Sequence, residues 1–77
     1  MVRAYILMEV DQSKIQKVLN NLAKMSEVKQ FDAITGNFDV IAQIEGLDQS
    51  DIGKTCVSTI STLDGVRRTM TYNVVEF

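Results

Sequence analysis

The feature that most constrains this chain is an internal repeat. Asp11-Gln12-Ser13-x-Ile15-x-Lys17 returns about 37 residues later as Asp48-Gln49-Ser50-x-Ile52-x-Lys54. Downstream in each half, Val28 after Ser26-Glu27 is matched by Val66 after Asp64-Gly65. With 77 residues in all, the chain is one domain, and it buries only about 60% of the surface its unfolded form exposes. A monomer of that size is marginally stable, so self-association is expected.

Each half repeats the same change of hydrophobic period. Val2, Ala4, Ile6, Met8 and Val10 alternate with Arg3, Tyr5, Leu7 and Glu9, the period-two signal of a strand. Because Tyr5 and Leu7 are apolar too, both faces of that strand look buried. Ile15, Val18, Leu19, Leu22 and Met25 follow at helical spacing and predict a helix over 13–25. Its start is either a capping box of Ser13 with Gln16 or an N-cap at Asp11. Residues 28–35 and 38–45 read as strands around Gly36-Asn37, a hairpin signal because glycine reaches positive φ freely. A second helix over 50–62 carries Ile52, Cys56, Ile60 and Leu63 on one stripe. It is rich in Ser and Thr and contains Gly53, so its stability must come from packing. After the turn at Asp64-Gly65, residues 66–77 read as a long last strand.

The order β-α-β-β-α-β in two similar halves predicts an α+β, ferredoxin-like sandwich spanning residues 1–77. Right-handed crossovers place strands one and three at the centre of a four-stranded antiparallel sheet, with both helices on one face. The other face should be polar. Instead, Tyr5, Leu7, Phe31, Ala33, Ile41, Val75 and Phe77 are assigned to it, more apolar surface than a small monomer leaves wet. The expected consequence is a homodimer packed sheet against sheet, a dimeric α+β barrel.

Composition narrows the chemistry. With no histidine and a single cysteine, the chain has no intramolecular disulfide, no multi-cysteine metal site and no histidine-based triad. Cys56 reads as a small core residue on a helix stripe rather than a nucleophile. No metal, cofactor or catalytic residue is expected. The net charge of −2 argues against non-specific nucleic-acid binding. No apolar run approaches the roughly 18 residues of a membrane span, and a signal peptide is not recognisable. A cytoplasmic domain is expected. The C-x-x-C of metal-transport domains and the aromatic motif of RNA-recognition domains are both missing.

Two polar groups remain as binding candidates. Thr35-Gly36-Asn37-Phe38-Asp39 is the densest. An aspartate just inside a strand is disfavoured, so Asp39 is expected either to accept from turn amides or to pair with a ligand ammonium. Thr69 and Thr71 lie two apart on the last strand, so their hydroxyls share a face. Arg67 and Arg68 are adjacent and cannot form one bidentate site together.

These residues resemble a known family. Ala33-Ile34-Thr35-Gly36-Asn37-Phe38-Asp39-Val40 is similar to the Thr-Gly-x-(Tyr/Phe)-Asp hairpin of the Lrp/AsnC amino-acid-responsive transcription regulators. Gly65-Val66-x-x-Thr69-x-Thr71-x-x-Val74 resembles the last strand of their effector domain. The resemblance covers essentially the whole chain. Full-length members begin with a helix-turn-helix domain, so it implies a stand-alone effector-binding and oligomerisation domain without direct DNA binding. It also implies dimers formed through the sheets and rings of dimers, from tetramers to octamers. The implied partners are further copies, a small amino-acid effector between dimers, and full-length Lrp/AsnC regulators, with no membrane. Carried over residue by residue, it puts Gly36, Asn37, Asp39, Thr69 and Thr71 at the effector pocket, with Thr35 ranked lower. Two alternatives stay open: an ACT-like amino-acid-binding domain, and a small dimeric barrel enzyme using Tyr5, Asp39 or Arg68 on a hydrophobic substrate.

Overall fold

The computed structural model describes residues 1–77. Strand β1 (Val2–Val10) leads through one 3-10 turn at Gln12–Lys14 into helix α1 (Ile15–Ala23). Strands β2 (Val28–Ala33) and β3 (Val40–Gly46) form the hairpin. Helix α2 (Gln49–Thr55) continues as a π-helical turn, Cys56–Ile60, before β4 (Val66–Asn73). The sheet is antiparallel with order β2-β3-β1-β4, so the strands predicted to be central are central. Ala4, Ile6, Met8, Val40, Ala42 and Ile44 line its covered face and meet Val18, Leu22, Ile52, Cys56 and Ile60 from the helical layer. This is the ferredoxin-like α+β fold expected from the repeat.

Aspartates start both helical segments. The Asp11 carboxylate accepts from the Ser13 backbone N–H at 3.0 Å and its hydroxyl at 2.8 Å. Gln16 turns away to Asn20, so the N-cap is Asp11 and no Ser13–Gln16 box forms. In the second half, Asp48 accepts from the Asp51 N–H, and the Asp51 carboxylate accepts from the Leu47 N–H. The π-helical turn has its own logic. Ile52, Cys56 and Ile60 are spaced by four, which overshoots a 3.6-residue turn. Widening the last turns, with the Ser61 N–H bonded to the Cys56 carbonyl at 2.9 Å, lets all three stay buried. Ser61 and Thr62 hydroxyls bond back to carbonyls of the same segment.

The structure corrects part of the expected open face. Directly opposed residues of an antiparallel pair share a face. Phe31 opposes Ala42 and Ala33 opposes Val40, both on the covered side, so Phe31 and Ala33 belong to the helix side of the sheet. The cause is a bulge: Val28 opposes Ile44 but Gln30 opposes Gln43, leaving Lys29 as an extra residue that reverses the alternation. The same happens in β4. Val10 opposes Val66 and Glu9 opposes Arg68, so Arg67 is the extra residue. Beyond it Thr69 and Thr71 face the helices, while Met70 and Tyr72 oppose Leu7 and Tyr5 on the open face. Both bulges follow the repeated valines by one residue. The last strand also stops at Asn73, which leaves Val75 and Phe77 exposed beyond the sheet rather than on its face.

The open face therefore has an apolar centre of Tyr5, Leu7, Ile41, Met70 and Tyr72. Ion pairs stand beside it, Arg3 with Glu76 at 3.4 Å and Arg68 with Glu9 at 3.5 Å.

Candidate functional site

The β2–β3 hairpin keeps the register that Gly36-Asn37 predicts, but its ladder opens early. Ala33 opposes Val40, and the Ile34 N–H bonds to the Asp39 carbonyl at 2.8 Å, closing a loop over residues 35–38. Gly36 takes φ of 121°, a conformation that favours glycine, whereas Asn37 stays at negative φ. A Cβ on Gly36 would meet nothing within 4 Å, so the backbone at the loop tip is open to an approaching molecule.

Asp39 sits at the base of this loop and touches β1 twice. Its backbone N–H donates to the Met8 carbonyl at 2.9 Å, and its Oδ2 accepts from the Val10 N–H at 2.8 Å. Of the two roles open to it from sequence, the structure thus adds a third: its acceptor is used by a neighbouring strand rather than by the turn. Phe38, next to it, lies under Arg68, whose guanidinium carbon is 5.1 Å from the ring centroid. The loop is consequently tied to β1 through Asp39 and to β4 through Phe38.

Thr69 and Thr71 do share a face, and their hydroxyls converge on the Cys56 sulfur at 3.7 and 3.2 Å. Thr69 is half-buried and Thr71 exposed, on the helix side of an edge strand. Thr69 opposes Met8, which opposes Val40, so the threonine pair begins in the row of the sheet next to the loop. One chain brings the two candidate groups to the same end of the sheet but not into one pocket. The depression the chain does form is elsewhere, on the open face, among Tyr5, Gln30, Asp32, Ile41 and Gln43. Sequence reasoning missed Val10, whose amide explains Asp39, and Met70 and Tyr72, which the bulge turns outward. No helix is long and apolar enough to cross a membrane.

A family model of the Lrp/AsnC ligand binding domain matches residues 3–76. This chain belongs to the Lrp/AsnC ligand-binding domain family. It is 28% identical over 68 residues to an uncharacterized HTH-type transcriptional regulator of Pyrococcus abyssi, a match covering 88% of this chain and 43% of that protein. The Lrp/AsnC domain thus spans less than half the length of that relative. Among solved structures, FFRP-DM1 superposes with a TM-score of 0.92 at 28% identity, covering 97% of this chain and 100% of that one. The transcriptional regulator NMB0573 of Neisseria meningitidis, solved as its L-Met complex, shares the fold at a TM-score of 0.89. That likeness has 19% identity and covers 97% of this chain and 50% of that one.

Proposed function

We propose that this Lrp/AsnC domain is a ligand-sensing and oligomerisation module that binds a small effector, an amino acid, at subunit interfaces. It acts by modulating transcription regulators of the Lrp/AsnC type, as an assembly partner rather than as an enzyme. The observation that carries this reading is the match of residues 3–76 to the family's ligand binding domain. The L-Met complex of the Neisseria regulator supports an amino acid as the class of effector.

The chemistry of the candidate residues agrees. An effector ammonium needs acceptors, which the carbonyls of the loop at Gly36 and Asn37 supply, together with the Asp39 oxygen that Val10 leaves free. Its carboxylate needs neutral donors, which the loop amides and the Thr69 and Thr71 hydroxyls supply, with Thr35 as a neighbour. Since one chain separates these groups, a second subunit completes the pocket in this reading. The apolar centre on the uncovered sheet face supports association of copies in pairs, because a patch of that kind rimmed by charge marks an interaction surface. Ligand bound across an interface then shifts the assembly equilibrium by linkage.

Native mass spectrometry with and without an equimolar mixture of the twenty amino acids tests both parts together. The expected result is an even-numbered oligomer that gains the mass of one amino acid per site. A monomer with no bound mass at millimolar amino acid would refute the proposal.

A further inference from the structure

The end of the central β1–β3 ladder has an unusual junction. The last opposed pair is Met8 with Val40, and β1 runs on to Val10, beyond the first residue of β3. The Val10 N–H has no β3 backbone carbonyl opposite it in register. Left unpaired, an N–H on a buried residue such as Val10 costs stability comparable to a lost hydrogen bond. The Asp39 Oδ2 meets it at 2.8 Å. A side chain here does the work of a strand.

Asp39 is also the residue on which the loop closes. Its carbonyl accepts from Ile34, its N–H donates to Met8 and its carboxylate holds Val10. Two of these three hydrogen bonds thus fix the loop stem against β1, and the third closes the loop on Ile34. The other tie is the Phe38 ring beneath Arg68, and Arg68 is itself more than half exposed, so it is the weaker of the two. Everything from Thr35 to Phe38 hangs on this stem.

We infer that Asp39 is a positioning residue: through Oδ2 and Val10 it sets the geometry of the 35–38 loop, besides offering Oδ1 to a ligand. The effector part of this inference rests on the function proposed above; the structural part does not. A carboxylate oriented by one strand and open at its other oxygen is pre-organised for an ammonium, because the rotamer is already fixed when the ligand arrives.

Two substitutions separate the roles. Asp39→Asn keeps an oxygen that can accept from Val10 but removes the charge, whereas Asp39→Ala removes both. Amide hydrogen exchange by NMR, referenced to the core amides of Ile6 and Ile44, is expected to be at least tenfold faster at Val10 in the alanine variant. In the asparagine variant Val10 should exchange like the parent, and the Gly36 and Asn37 amide shifts should move only in the alanine variant. For the amino-acid mixture, the concentration giving half-occupancy by native mass spectrometry should rise about tenfold in Asp39→Asn and at least a further tenfold in Asp39→Ala. If the alanine variant does not fold, Asp39→Ser, which stops short of Val10, takes its place. Unchanged Val10 exchange or unmoved loop amides in the alanine variant would overturn the inference. So would equal losses of binding in both variants. A parent protein that binds no amino acid sinks the proposed function instead, while Val10 and the loop amides still decide the role of Asp39.

Discussion

Gly65 and Gly36 both take positive φ, 103° and 121°, yet they do so for different reasons. Gly36 turns a loop in open space. Gly65 brings the start of β4 against the first helical segment: its carbonyl accepts from the Asp11 N–H at 2.8 Å, and an added Cβ would lie 2.6 Å from the Lys14 Cβ. Gly65→Ala should therefore combine backbone strain with a clash that only backbone movement relieves. A loss of about 2–3 kcal/mol is expected by urea denaturation, against about 1 kcal/mol for Gly36→Ala, where strain acts alone. Equal losses would mean the close approach to Lys14 is not real. The sequence displayed both glycines as turn residues; the difference between them depends on a neighbour about fifty positions away in the chain. Asp39 is the parallel case. Its misfit in a strand was legible, but its partner Val10 is distant in sequence and joins it only through the sheet.

Between elements, the same limit applies to phase. Alternation along a strand is local, but a bulge is a property of two strands together. Nothing in Val28-Lys29-Gln30 says that Lys29 goes unpaired, and reading straight alternation through it put Phe31 and Ala33 on the wrong face. The repeated valines contain a hint, since both edge strands bulge one residue after them. Helix anchoring also crosses elements. Lys14 and Lys17 both reach the Asp64 carboxylate, at 2.8 and 2.9 Å, tying the first helix to the turn before β4. Their hydrogen bonds pull the Asp64 pKa down to about 2 from an ordinary 3.8. A carboxyl depressed on folding contributes stability above its unfolded pKa and loses it as pH falls toward the folded one. The parent should thus lose stability relative to Asp64→Asn between about pH 4 and pH 2. Melting curves of both across that range check this, and parallel curves would refute it. Because the groups are about half exposed, raising salt to 1 M should shrink the difference.

For the whole molecule, two helices on a four-stranded sheet leave a face uncovered, and the proposed self-association uses that face. The bulge in β4 matters here because it exchanges Thr69 and Thr71 for Met70 and Tyr72 on that face. Met70→Lys places a charge among Tyr5, Leu7 and Ile41 without touching the core beneath. It should weaken self-association at least tenfold by light scattering while the far-ultraviolet circular dichroism stays unchanged. An unaltered oligomer would show that association uses another surface.

The order of elements, the pairing of strands one and three, the hairpin register at Gly36-Asn37 and the family hairpin motif were all determined by the sequence itself. The first three rest on periodicity, turn chemistry and a repeat, and the last on a resemblance, each carried by neighbouring residues. The tertiary structure alone decided which face Phe31, Ala33, Met70 and Tyr72 occupy, where the last strand stops, and that Asp39 serves Val10. Those outcomes depend on which groups of a distant strand are left to be paired, and that is settled only when the strands meet.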